Sequence, residues 1–188
     1  MIYLVRHGES ESNISKRFSG ITDVELSLKG REQARQAGQN ISEKISHIYT
    51  SPLKRAENTA NIIADEIKFD GNIIIENSLI EVNFGLFENL TWEEIYSTYK
   101  DESDNWINKK HLYKFPEGEG YDDIVNRVSK FIDIVPDNSL IVSHFGVIQS
   151  ILLYLGIADD KNLWDFKISN CDILVLNNKK FVRIIKCK

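Results

Sequence analysis

The chain is 188 residues long and carries 28 acidic against 23 basic side chains, a formal net charge of −5. Its 42% hydrophobic and 27% charged residues are the composition of an ordinary folded domain, which excludes a disordered chain, a collagen-like repeat and a disulfide scaffold. The mild acidity argues against a nucleic-acid binder, whose surface would be basic, and on its face against an anionic substrate.

Ile2 to Val5 is a short apolar run that fits a buried strand. Ser27 is placed to cap a helix from about Leu28 to Lys44, with Ala34, Ala37 and Ile41 on one face. His47 to Thr50 reads as a second strand. Pro52 then opens a helix to about Ile67, with Ala56, Ala60, Ile63 and Ala64 in helical spacing. Ile73 to Ile75 is a third apolar run. Thr91 with Glu94 forms a capping-box pattern for a helix to about Tyr99. Tyr121 to Val135 is amphipathic at helical period, and Lys109 to Gly120 before it is irregular. Ser139 to Val142 is another buried strand, followed by a helix from about Gly146 to Leu155. Cys171 to Leu176 and Lys180 to Ile185 flank Asn177-Asn178, the pattern of a hairpin.

Strands alternating with helices predict an α/β fold: a three-layer α/β/α sandwich around a mostly parallel sheet, with a C-terminal antiparallel edge hairpin. No repeat or linker divides the chain, so residues 1–188 are expected to form a single domain, with an insertion at about 91–121 near the site. Cys171 and Cys187 have neither framework nor metal spacing, which predicts a reduced, cytoplasmic setting. The opening apolar run is too short for a signal-peptide core. The longest apolar stretch, Gly146 to Ala158, falls short of the roughly 20 residues of a membrane span.

In a parallel sheet, ligands bind beyond the C-terminal strand ends. Two of the four histidines sit there: His7 after the first strand, and His144 after the strand at Ser139 to Val142. Gly8 and Gly146 follow them closely. Arg6 adjoins His7, Arg55 begins the helix after the second strand, and Glu81 follows the third apolar run. Alone, each Arg or Glu reads as a solvated surface charge. Together they form a phosphoryl-transfer set: guanidiniums for the phosphoryl oxygens, a histidine to attack, and a carboxylic acid for the leaving oxygen. In those roles the attacking histidine must be neutral at its attacking nitrogen with the other nitrogen on a backbone carbonyl, and the carboxylic acid must have a raised pKa.

The stretch Leu4-Val5-Arg6-His7-Gly8-Glu9-Ser10 with Asn13 resembles the signature of the histidine phosphatase superfamily, also called phosphoglycerate-mutase-like. Arg17-Phe18-Ser19-Gly20, Leu26 to Gly30, Ser51 to Ala60, Glu81 to Glu88 and Val142-Ser143-His144 continue the resemblance in family order. It implies that His7 is the nucleophile, that Arg6, Arg55 and His144 hold the phosphoryl group, and that Glu81 is the proton donor. It further implies that Asn13, Ser19 and Gly20 contact substrate, and that neither metal nor cofactor is needed. The expected partner is a small-molecule phosphomonoester, with no nucleic acid and no membrane. The compact insertion favours hydrolysis over mutase chemistry. Trp106 and Phe115 to Gly120 resemble the α-ribazole phosphatase branch. The alternatives are a cofactor-dependent phosphoglycerate mutase and a non-catalytic phospho-ligand binding domain.

Two positions depart from the family pattern. Phe145 stands where glycine is common, either packing on substrate or in the core, and Gln149 stands where a basic residue is common. His47 reads as structural, and Asp159-Asp160 as a turn or helix cap. His111, Trp106, Tyr113 and Phe115 form either a lid or ordinary packing. Glu117 and Glu119 either are solvated or orient a cationic or hydroxylated leaving group.

Overall fold

The computed structural model describes residues 1–187. Its strands are β1 (Ile2–Arg6), β2 (His47–Thr50), β3 (Ile73–Ile75), β4 (Ser139–Ser143), β5 (Ile173–Asn177) and β6 (Lys180–Ile185). They form one sheet in the order β3-β2-β4-β1-β5-β6. β1, β2, β3 and β4 run parallel, while β5 and β6 join antiparallel at one edge. The α/β sandwich with a C-terminal edge hairpin is therefore the observed fold.

Side chains alternate along each strand, so each face of the sheet carries its own core. Tyr3 and Val5 of β1 face Ala34, Ala37, Ala56, Ala60 and Ile63. These belong to α2 (Leu28–Gln39) and α3 (Lys54–Glu66), whose alanine stripes let both helices lie close to the strands. Ile2 and Leu4 face the opposite core, with Ile124, Val128 and Ile132 of α6 (Tyr121–Ile134) and Val147, Ile148 and Ile151 of α7 (Phe145–Tyr154). α4 (Trp92–Thr98) begins at the Thr91–Glu94 capping box, and α1 (Glu11–Ile14) is a single turn after the β1 exit. No helix of the described residues is long and apolar enough to cross a membrane. Cys171 and Cys187 are both free.

Several boundaries differ from the sequence expectation. α2 stops at Gln39, because the Asn40 N–H closes the last turn on the Gln36 and Ala37 carbonyls. Ile41 and Ile45 still reach the core from the chain beyond it. α3 starts at Lys54 because Leu53 is extended and acts as its N-cap. α5 (Lys100–Lys109) was not expected: only Trp106 and Ile107 of its residues are large and apolar, too few to make a stripe.

The β1 exit is fixed by a close backbone crossing. A Cβ on Gly8 would lie 2.4 Å from the Gly30 carbonyl oxygen, and one on Gly30 would lie 2.0 Å from the Glu9 carbonyl oxygen. Both positions therefore need glycine to seat the first turn of α2 under the exit. Gly30→Ala is expected to cost about 1–3 kcal/mol of unfolding free energy, measured by urea denaturation. An unchanged denaturation midpoint would contradict this crossing.

Candidate active site

β1 and β4 pair with Arg6 opposite Ser143, so both strands end level. The ladder extends one step further, the His7 N–H donating to the Ser143 carbonyl at 2.9 Å. The two exits then place the His7 and His144 rings with centroids 5.1 Å apart. His7 is buried, and its Nδ1 lies 2.7 Å from the Gly8 carbonyl oxygen. A carbonyl only accepts, so Nδ1 carries the proton. Burial, then the charges of Arg55 and Arg6, hold the His7 pKa well below its ordinary value. The ring is thus neutral, with its lone pair on Nε2.

Neighbouring groups lock this residue. The Gly8 N–H donates to Thr59 Oγ1 at 3.0 Å, and Thr59 Oγ1 donates to the Arg55 carbonyl at 2.7 Å. Asn170 Nδ2 donates to the His7 carbonyl at 3.0 Å and to Asn13 Oδ1 at 3.1 Å. Asn13 Oδ1 also accepts from the Ser10 N–H at 3.0 Å, which leaves the Asn13 side-chain NH2 to a ligand. Fully buried His144 shares a 2.8 Å hydrogen bond between Nε2 and Ser51 Oγ, and its Nδ1 is buried without a partner.

Arg6 donates through Nη1 to the Ile168 carbonyl at 2.8 Å, and its Nε is buried and unpartnered. Its guanidinium carbon lies 5.4 Å from the Phe145 ring centroid. Phe145 is thus the first residue of α7, stacking under Arg6 and lining the cavity while it also packs against the core. Phe145 does not take a positive φ, so a side chain is accommodated there without backbone strain. Arg55 is almost wholly buried, and three of its N–H groups hold the Thr22, Ser19 and Gly20 carbonyls at 2.8, 3.0 and 2.7 Å. It therefore shapes the Ser19–Thr22 loop as well as the local potential, with its remaining two donors free of these bonds.

Glu81 is buried beside the N-terminus of α7. Its Oε1 accepts from the Val82 N–H at 2.9 Å and its Oε2 from the Gly146 N–H at 3.2 Å. Gly146 permits this approach, since a Cβ there would lie 2.7 Å from Glu81 Oε1. Burial raises the Glu81 pKa, while both amides and the two arginines pull it back. Ser143 Oγ donates to the Leu79 carbonyl at 2.8 Å, and Arg127 donates to the carbonyls of Ser78 and Glu81.

These groups border a cavity of about 330 Å³ lined by Arg6, His7, Asn13, Ser19, Glu81 and Gly146 at its polar end. Arg55 and His144 stand behind His7 rather than on the wall, and Gly20 turns away, its N–H donating to Glu88. A larger depression, about 580 Å³, lies between the C-terminal ends of α2 and α3, remote from every candidate residue. Glu119 ion-pairs with Arg127 at 3.2 Å and accepts from the Asn83 N–H at 3.0 Å; neither it nor Glu117 lines the cavity. The acceptor for a leaving group considered at those two positions is therefore absent from its wall. Fully buried Gln149 accepts from the Tyr121 hydroxyl at 2.5 Å, so it orients a cavity-lining ring. Asp159 Oδ1 accepts from the Lys161 and Asn162 N–H groups, making the expected turn.

Sequence reasoning did not single out Ser51, Thr59, Arg127 or Asn170 as positioning residues. Thr59 meets the Gly8 amide across 51 residues and Asn170 meets the His7 carbonyl across 163, so no local pattern could announce these bonds.

The description of the family model that matches residues 2–184 is the histidine phosphatase superfamily (branch 1). Phosphoserine phosphatase 1 of Hydrogenobacter thermophilus is 30% identical over 190 residues, spanning 98% of this chain and 89% of that protein. A probable phosphoglycerate mutase of Erwinia tasmaniensis is 32% identical over 185 residues, spanning 92% of this chain and 82% of that one. The crystal structure of the α-ribazole phosphatase from Shigella flexneri has a TM-score of 0.83 at 25% identity, covering 98% of this chain and 95% of that one.

The buried titratable groups also set a pH dependence of stability. On unfolding below pH 6.5, His7 and His144 each gain a proton that the folded state does not bind, so stability falls as pH drops through that range. Glu81 acts oppositely: its contribution is lost as pH rises from 4.5 through its raised folded value. Two histidines outweigh one carboxyl, so stability should rise with pH between about 5 and 6.5. His7→Gln should flatten that rise by up to about 1.4 kcal/mol per pH unit in urea titrations. An unaltered slope would show that His7 is not held neutral.

Proposed function

Because the chain belongs to the histidine phosphatase superfamily, we propose that it is a phosphomonoester hydrolase that passes the phosphoryl group of a small molecule to His7 and then to water. The observation that carries this reading is the 2.7 Å bond from His7 Nδ1 to the Gly8 carbonyl, which aims the lone pair at Nε2. The unpartnered Arg6 Nε and His144 Nδ1 beside it support a phosphoryl group there, since buried polar atoms normally have partners.

In the first step His7 Nε2 attacks phosphorus and the bond to the leaving oxygen breaks. Glu81, whose pKa is raised by burial, gives its proton to that oxygen. Arg6, Arg55 and His144 stabilise the charge on the transferred group, and Asn13 and Ser19 orient the bound ester. In the second step water attacks the phosphohistidine, the Glu81 carboxylate takes its proton, and phosphate leaves. The guanidiniums supply the positive charge, so the reaction proceeds without a metal or cofactor. Residues 1–188 act as one domain in this reading, with the segment 91–121 walling the leaving-group side.

A purely binding domain needs no acid, and the buried Glu81 lining the same cavity as His7 disfavours it. Mutase activity needs the bisphosphate intermediate to be retained, which calls for a second anion site. Of the two rim cations, Arg17 is committed to Glu94 at 2.8 Å, which leaves only the single Lys16 for a second anion. Hydrolysis therefore fits better. Within the hydrolases, α-ribazole 5′-phosphate is the named substrate that the Shigella likeness and the Trp106 and Phe115 to Gly120 stretch support.

Phosphate release from a panel of monoesters, assayed with chelator present, tests the reading. Wild type should turn over, and His7→Ala should lose at least about 10³-fold in kcat. Equal release by both proteins, or complete loss with chelator, would overturn it. Glu81→Gln should lose at least about 100-fold on an alkyl phosphate and far less on a nitrophenyl phosphate, whose leaving group needs no proton. Equal losses on both would remove Glu81 from the acid role.

A further inference from the structure

The wall of the cavity away from the phosphoryl end is aromatic, with Phe18, Phe84, Trp106, Phe115 and Trp164, and the cations Lys16 and Arg17 stand at its rim. Trp106 is braced by edge contacts to Phe18 at 5.4 Å and Phe115 at 5.0 Å between ring centroids. Trp164 sits on the turn Leu163–Asp165 and is 38% exposed. The Tyr121 hydroxyl on this side donates to Gln149, and Ser19 Oγ, nearer the polar end, donates to the Thr22 carbonyl and keeps only its acceptor capacity.

A second depression, about 230 Å³, lies outside this cavity and is lined by Trp92, Trp106, Ile107, Lys110 and Trp164. Trp106 and Trp164 border both spaces. The apolar surface thus continues past the two tryptophans onto exposed Ile107, itself 53% exposed. Away from the rim cations, such a wall offers dispersion and hydrophobic contact but little to hydrogen-bond a compact polyol or amino acid.

We propose that Trp106 and Trp164 flank a passage from the phosphoryl site to the outer groove, and that the leaving group is an elongated alcohol bearing a flat apolar group that reaches between them. This rests on the hydrolase reading and narrows its substrate class. A flat ring would lie against Trp164 with its polar end directed back to Glu81, which protonates the leaving oxygen.

A series of alkyl phosphates separates this proposal from the reading beneath it. Ethyl, 2-phenylethyl and 2-(1-naphthyl)ethyl phosphate leave as alcohols of similar acidity, so the chemical step is matched. The naphthylethyl ester should exceed ethyl phosphate in kcat/KM by at least about tenfold, mainly through KM. Trp164→Ala should shrink that ratio to below about threefold, and Trp164→Phe should restore most of it. Trp164 is exposed, so neither variant threatens the core. Equal kcat/KM across the series, or a ratio untouched in Trp164→Ala, would overturn the proposal and leave the hydrolase reading standing. Preference for phosphoserine or 3-phosphoglycerate that Lys16→Ala abolishes would also overturn it, by assigning an anionic leaving group to the rim cation. Absence of His7-dependent phosphate release from every ester would overturn the proposal together with the hydrolase reading.

Discussion

The site depends on two parallel strands that end level with one another. The pairing of Arg6 with Ser143 fixes the register, and the His7 N–H continues it onto the Ser143 carbonyl. A slip by one residue would turn every side chain of β1 to the wrong face and carry His7 away from His144. The Gly8–Gly30 crossing and the Thr59 hydroxyl then hold the chain in its turn, so that Nδ1 finds the Gly8 carbonyl. Packing therefore sets the tautomer of His7, and the tautomer sets what the residue can do.

Electrostatics follow from the same burial. Arg6 and Arg55 sit within reach of two imidazoles and a carboxyl, all of them largely removed from water. Desolvation pushes both imidazoles toward neutral and raises the carboxyl, so the nearby positive charge rests on the guanidiniums. The whole-chain charge of −5 is thus no guide to the cavity. A cleft can focus a potential opposite in sign to the net charge, because its charges are close and poorly screened. The cost is stability, since unpaired buried polar atoms at Arg6 and His144 gain nothing until a ligand arrives.

What was legible in the sequence was the part governed by short-range patterning. Buried strands read as apolar runs, the helices α3 and α6 as stripes, and the Thr91–Glu94 capping box as a spaced pair; the strand and helix patterns sufficed to put His7 and His144 at one end of a sheet. Helix ends were less legible, because Asn40 and Leu53 act through backbone geometry that composition does not reveal. α5 was missed for want of an apolar stripe. The carbonyl contacts of Arg55, the bond from Ser51 to His144 and the hold of Asn170 on His7 are long-range pairings that only the folded chain creates. Glu119 illustrates the converse: a charge that looked available to a ligand is spent on Arg127 and on the backbone of Asn83.

Turnover by the proposed route requires a covalent bond between phosphorus and His7. Rapid mixing of enzyme with a monoester, quenching into base to preserve a phosphoramidate, and peptide mass analysis would reveal it directly. One phosphoryl group is expected, at His7 on the peptide containing it, formed within the turnover time and absent from His7→Asn. A turning-over enzyme that never carries the group, or that carries it on Ser10 or His144, would contradict it.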